Sequence, residues 1–179
     1  MAKRWGGAGG ILALTLLLQM AAAGEARADG GLEEYRLKGA FLYHFFSFVE
    51  WPQGPLATPT LCVAGEDPFG GALDELVGRK VGGRPLAIRR ILPGARPPEG
   101  CSILFIARSE ESRWRDLVRS LSPGVLTVSD IERFAREGGI IEMFLQSRKV
   151  RLAVSLATAR DAGLVISSRL LSLAERVDE

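Results

Sequence analysis

The sequence predicts an α/β fold: one domain on a mixed, mostly parallel central sheet with helices on both faces. Three observations predict it. Short apolar runs of strand character recur along the chain, several of them continuous rather than alternating, as strands covered on both faces tend to be. Helical patterns fall between those runs, the alternation that builds parallel sheets. The run 140–154, with 146–149 as its turn, reads instead as a local antiparallel hairpin, which makes the sheet mixed.

Taken in order, residues 32–51 (LEEYRLKGAFLYHFFSFVEW) form the first helix. Helical spacing sorts its apolar residues into two stripes, Tyr35, Gly39, Leu42, Phe46 and Val49 against Leu37, Phe41, Phe45 and Phe48. Glu33 and Glu34 favour the positive end of the helix dipole, and Pro52 stops the helix. Strands are expected at 60–64, 85–88, 102–106, 125–128, 140–145 and 150–154. Helices are expected at 69–77, 111–121, 130–137, 157–162 and 167–176, with surface loops at 78–83 and 93–100. The sum is a three-layer, Rossmann-like arrangement.

The amino terminus supplies an address. Lys3 and Arg4 precede an apolar stretch from Gly6 to Ala23, broken only by Thr15 and Gln19, and Ala26-Arg27-Ala28 follows. A basic start, an apolar middle and an A-x-A site are the parts of a cleavable export signal, here 1–28, with Asp29 as the mature start. The strongly apolar part, 11–18, is too short to span a bilayer alone.

Cleavage removes Lys3, Arg4, Arg27 and Glu25, so the 23 basic and 21 acidic residues of the whole chain become 20 and 20. A neutral domain with interspersed signs gives no electrostatic basis for binding nucleic acid or an anionic membrane. The 151 residues left, 29–179, suit one domain with its own core.

Both cysteines, Cys62 and Cys101, lie in the mature chain. An oxidising compartment and an even count favour pairing, and two separate buried thiols are the alternative. A bridge would close a loop of about 40 residues and stabilise the fold by roughly 4 kcal/mol in the chain-entropy picture.

Catalysis finds little support. GEDPFGG (65–71) follows a strand and opens a helix, where phosphate loops sit, yet it lacks both the Gly-Lys-Ser/Thr ending and the G-x-G-x-x-G spacing. His44 is the only histidine, and no set of His, Cys and carboxylate stands at metal-ligand spacing. Asp67-Pro68 and Ser129-Asp130 read as helix starts with capping side chains. No nucleophile, base and orienter can be named together, so an enzyme, a metal and a cofactor are all unexpected.

Seven segments, in this order and spacing, carry a resemblance. They are LKGAFLYHFFSFVEWP (37–52), CVAGEDPFG (62–70), VGGRP (81–85), CSILFI (101–106), LTVSD (126–130), GGI (138–140) and AGLVISSRLL (162–171). Over nearly the whole mature length the chain resembles the YfiR/HmsC family of periplasmic proteins. The resemblance implies a Cys62–Cys101 disulfide and a homodimer. It also implies a periplasmic inhibitor of a membrane-bound diguanylate cyclase, YfiN-like, whose periplasmic sensor region it binds, lowering cyclic-di-GMP and with it biofilm and exopolysaccharide output. A YfiB-like outer-membrane lipoprotein would sequester it. The second cysteine pair of some members is absent, with none in 136–143; His44 replaces a common asparagine, and Ser155 stands in a Val-Ser-Leu that replaces a frequent Ile-Asn pairing.

Inhibition by a protein surface would use an exposed aromatic stripe, for which Phe45, Phe48 and Trp51 are the candidates; packing of the same residues on the sheet is the alternative. A second reading is a periplasmic module that senses a small molecule and reports to a membrane receptor or histidine kinase. By fold analogy its ligand would sit at the carboxyl ends of the strands, among Gly65, Glu66, Asp67, Arg108, Ser129 and Asp130.

Overall fold

Side chains alternate across the central strands with period two, and both sides of the alternation are apolar. Leu61, Val63, Ile103, Phe105, Leu126 and Val128 enter one core; Cys62, Ala64, Leu104 and Ile106 enter a second. A sheet with two apolar faces has to be covered on both, and here it is. The computed structural model describes residues 31–54 and 56–179. The expected export signal, 1–28, and the mature start Asp29 lie outside the described residues.

The elements in chain order begin with α1, helical through 31–48, then β1 (Val49–Glu50) and β2 (Thr60–Ala64). A small hairpin, β3 (Lys80–Val81) and β4 (Arg84–Pro85), precedes β5 (Ala87–Ile91) and β6 (Ile103–Ile106). Then come α2 (Trp114–Arg119), β7 (Leu126–Ser129), β8 (Ile141–Gln146), β9 (Lys149–Ser155) and α3 (Leu156–Asp161). β10 (Val165–Ile166), α4 (Ser168–Leu171) and β11 (Arg176–Asp178) close the chain. Tyr35–Glu179 form one compact unit, and among the described residues no helix is long and apolar enough to cross a membrane.

The main sheet runs β11-β9-β8-β7-β6-β2-β5. Its five central and edge strands from β8 to β5 are mutually parallel, while β8 and β9 form an antiparallel hairpin with Gln146 opposite Lys149. The mixed, mostly parallel sheet with helices on both faces is therefore present. In chain order the parallel strands read 2-1-3-4-5, a doubly wound order whose direction reverses between β2 and β6. The first core holds buried residues of α1, α3 and α4, and the second holds Trp114 and Leu117 of α2.

Several expected elements are displaced, each for a local reason. The first helix stops at 48 rather than at Pro52, because Val49 and Glu50 pair antiparallel with Ile166 and Val165. The 69–77 helix is two 3-10 turns, Gly70–Ala72 and Asp74–Leu76, with Gly70 left-handed at φ 53°. The 130–137 helix is reduced to Ala135–Glu137, since Arg133 takes φ 61° and Gly138 φ 112°. The 85–88 strand lies at Ala87–Ile91, and the 78–83 loop contains half of a hairpin turning at Gly82 and Gly83. The last helix ends at Leu171, and 176–178 joins the sheet edge beside β9.

Candidate functional site

Doubly wound sheets bind ligands in the crevice outside the carboxyl ends of the strands where the winding reverses. Here that crevice lies beyond β2 and β6, and the strand-end residues singled out from sequence do collect along that edge: Gly65, Glu66 and Asp67 after β2, Arg108 after β6, Ser129 and Asp130 at the end of β7. Most of their polar groups are engaged by neighbouring residues rather than by one another. Ser109 Oγ accepts the Glu66 N–H at 2.8 Å, and Asp67 Oδ1 accepts the Phe69 N–H at 2.7 Å. A Cβ on Gly65, which has φ 95°, would overlap Ser109 Oγ and approach Glu110 Cγ at 2.9 Å. The two loops are thus packed against each other where a ligand's phosphate would need open N–H groups.

Asp67 also accepts from Arg90 Nε at 2.6 Å, and Asp74 from Arg90 Nη2 at 2.8 Å. Hydrogen bonds donated to Asp67 first and Asp74 second raise the Arg90 pKa above its ordinary value. Ser129 Oγ donates to the Ile106 carbonyl and accepts from the Ile131 N–H. Asp130 is buried, and its Oδ2 receives both Lys38 Nζ and the Tyr35 hydroxyl, each at 2.7 Å. Among the described residues, its Oδ1 has only Arg108 Nε at 3.7 Å, from a side chain 67% exposed.

Lys38 and Tyr35 were not among the residues picked from sequence. The signal was present in the helix: Lys38, Leu42, Phe45 and Val49 fall on one face at helical spacing, so a lysine in a core stripe demands a buried anion.

The aromatic stripe divides. Phe45 is wholly buried, and Trp51 is buried with its ring stacked on Phe46, so neither offers surface to a partner in this fold. Phe45 stands three residues from Leu42 and four from Val49, which puts it on the core face rather than on the stripe with Phe48. What remains on the outside of α1 is Leu37, 46% exposed, with half-buried Phe41 and Phe48 and exposed His44 between them. Val165, 58% exposed, lies on the neighbouring strand opposite Glu50.

Cys62 and Cys101 form a disulfide with Cα atoms 5.8 Å apart, leaving no free cysteine. Cys62 lies in β2 and Cys101 two residues before β6, adjacent parallel strands, so the bridge ties the entry of β6 to its neighbour.

The family model described as YfiR/HmsC-like matches residues 35–175. The chain belongs to the YfiR/HmsC-like family. This is a family of periplasmic regulators. No curated protein matches the sequence. In this YfiR/HmsC-like protein, His44 lies outside the core beside the Tyr43 and Phe48 rings. Ser155 caps α3, accepting the Thr158 N–H at 3.3 Å. Among the described residues, no three His, Cys, Asp or Glu side chains stand together as a metal site.

Proposed function

We propose that this protein is a periplasmic inhibitor of a membrane-bound diguanylate cyclase. The chain is exported, cleaved after Ala28 and oxidised across Cys62 and Cys101. It binds the periplasmic sensor region of a YfiN-like cyclase and holds down cyclic-di-GMP production, and with it biofilm and exopolysaccharide output. Release follows sequestration by a YfiB-like outer-membrane lipoprotein, and the regulator acts as a homodimer.

The observation that carries this reading is the family match across 35–175. An interaction surface supports it. Leu37, Phe41 and Phe48, at helical spacing on α1, form an apolar ridge of the kind that supplies the desolvated centre of an interface. Phe48 is the member we place in the contact. A regulator outside the cytoplasm reaches an intracellular messenger only through a partner that crosses the membrane, so binding is the activity to measure.

The test is capture of the purified periplasmic region of the cyclase by the mature protein, with Phe48→Asp as the variant. Loss of capture with retained circular dichroism and melting supports the contact. Undiminished capture by the folded variant removes Phe48 from it, and no capture by the unsubstituted protein removes the cyclase.

A further inference from the structure

The 7-stranded sheet ends on one side at β5, whose neighbour in the sheet is β2 alone. The Ala87 N–H donates to the Pro59 carbonyl and the Ile91 carbonyl accepts the Gly65 N–H, so residues 87, 89 and 91 turn their backbone groups toward β2. By alternation, Ile88 and Arg90 turn theirs outward. Among the described residues nothing bonds to those outward N–H and C=O groups, whereas Leu86 before them closes on Arg79 and Gly78. The open edge is therefore the stretch 88–90, and Leu92, 78% exposed, lies just past it.

Charge marks this edge. The chain as a whole has 23 basic and 21 acidic residues, close to balance, yet 79–96 carries Arg79, Lys80, Arg84, Arg89, Arg90 and Arg96 with no acidic residue among them. Arg90 is held by Asp67 and Asp74 on one face of the sheet. Arg89, exposed on the other face, has a bond to the Glu99 carbonyl at 3.4 Å and no carboxylate partner among the described residues.

A guanidinium on an open edge selects what pairs there. A second copy of β5 using all the outward groups, each Ile88 against the other Arg90, would set Arg89 directly opposite Arg89, and like charges in that position are destabilising. A carboxylate opposite Arg89 is favoured instead. We infer that the β5 edge takes up an extended acidic segment of a partner protein as an added strand. About four backbone hydrogen bonds run to Ile88 and Arg90, and the acidic side chain lies opposite Arg89. The residues on either side of it fall on the face of Ile88, which packs on the first core, so β-branched apolar side chains suit them. The contact is made by β5 and not by α1, so it stands apart from the proposed cyclase surface.

The probe is the end-capped peptide Ser-Thr-Val-Glu-Val-Thr-Ser, which reads the same in both directions and so suits parallel or antiparallel addition. It is titrated into isotope-labelled mature protein and followed by amide NMR. The expected result is saturable binding in which the Ile88 and Arg90 amide hydrogens exchange more slowly as the site fills, while that of Arg89, already turned toward β2, is unchanged. Arg89→Glu should weaken binding about tenfold, and the peptide with Lys in place of Glu should restore it on that variant. If the variant does not fold, the same charge test is read on the unsubstituted protein, which should bind the Lys peptide about tenfold more weakly than the Glu peptide. Absence of saturable binding up to about 5 mM overturns the inference, as does indifference to the charge opposite position 89. Ile88 and Arg90 amides that become protected in the free protein as its concentration rises also overturn it, giving the edge to a second copy.

Discussion

Lys38 Nζ and Asp130 Oδ2 stand 2.7 Å apart with both side chains 1% exposed, joining the first helix to the end of β7 across 92 positions of sequence. Burying two charges is costly, and their attraction roughly offsets the loss only while both are present. Lys38→Met therefore leaves a buried carboxylate with the Tyr35 hydroxyl alone on Oδ2. Urea denaturation should show a loss of about 3–5 kcal/mol. The double variant Lys38→Met with Asp130→Leu should recover most of that loss. If the single variant is as stable as the unsubstituted chain, the pair does not hold α1 in place.

The disulfide constrains an unfolded chain over a sequence separation of 39. Replacing Cys62 and Cys101 together with alanine should lower stability by roughly 4 kcal/mol in the chain-entropy picture. Equilibrium unfolding with and without reductant measures it, and the double variant should be insensitive to reductant.

At the tip of the β8–β9 hairpin, Ser147 and Arg148 both take left-handed backbone angles, φ 49° and 62°. Neither residue type favours that region, whereas Asn-Gly does. Ser147→Asn with Arg148→Gly should stabilise the protein by about 1 kcal/mol, read as a raised melting temperature. An unchanged or lowered value contradicts a two-residue turn with both angles positive.

Much of the fold was legible because periodicity is local. The continuous runs at 60–64 and 102–106 marked buried strands, and the hairpin at 146–149 announced its turn. The Cys62–Cys101 pairing followed from a resemblance, and the spacing of the residues alone left it open. What the pattern missed was set by tertiary pairing. Val49 and Glu50 leave the helix because a strand more than a hundred residues later claims them, and nothing near position 50 reports that. Likewise Phe45 and Phe48 are both apolar helix residues three positions apart, and which of them is the core ring depends on which face the sheet covers, here the one with Leu42 and Val49. The strand-end residues lie along the carboxyl edge of the sheet, but Ser109, whose side chain packs against Gly65, carries no sequence signal.

Gly139 shows how tightly the second core is closed. A Cβ there would overlap the ring of Phe134, which is fully buried. Gly139→Ala should cost about 1–3 kcal/mol by overpacking. Thermal unfolding tests it, and Phe134→Leu in the same chain should relieve part of the loss.

The division of the aromatic stripe gives the most direct test of the proposed inhibition. Cyclic-di-GMP production is measured in membranes carrying the cyclase, with added mature protein, Phe48→Asp or Phe45→Asp. Unsubstituted protein should suppress production, Phe48→Asp should fold and fail to suppress it, and Phe45→Asp should fail because it does not fold. Suppression by Phe48→Asp equal to that of the unsubstituted protein would contradict the α1 ridge as the inhibitory surface, and no suppression by either would contradict inhibition itself.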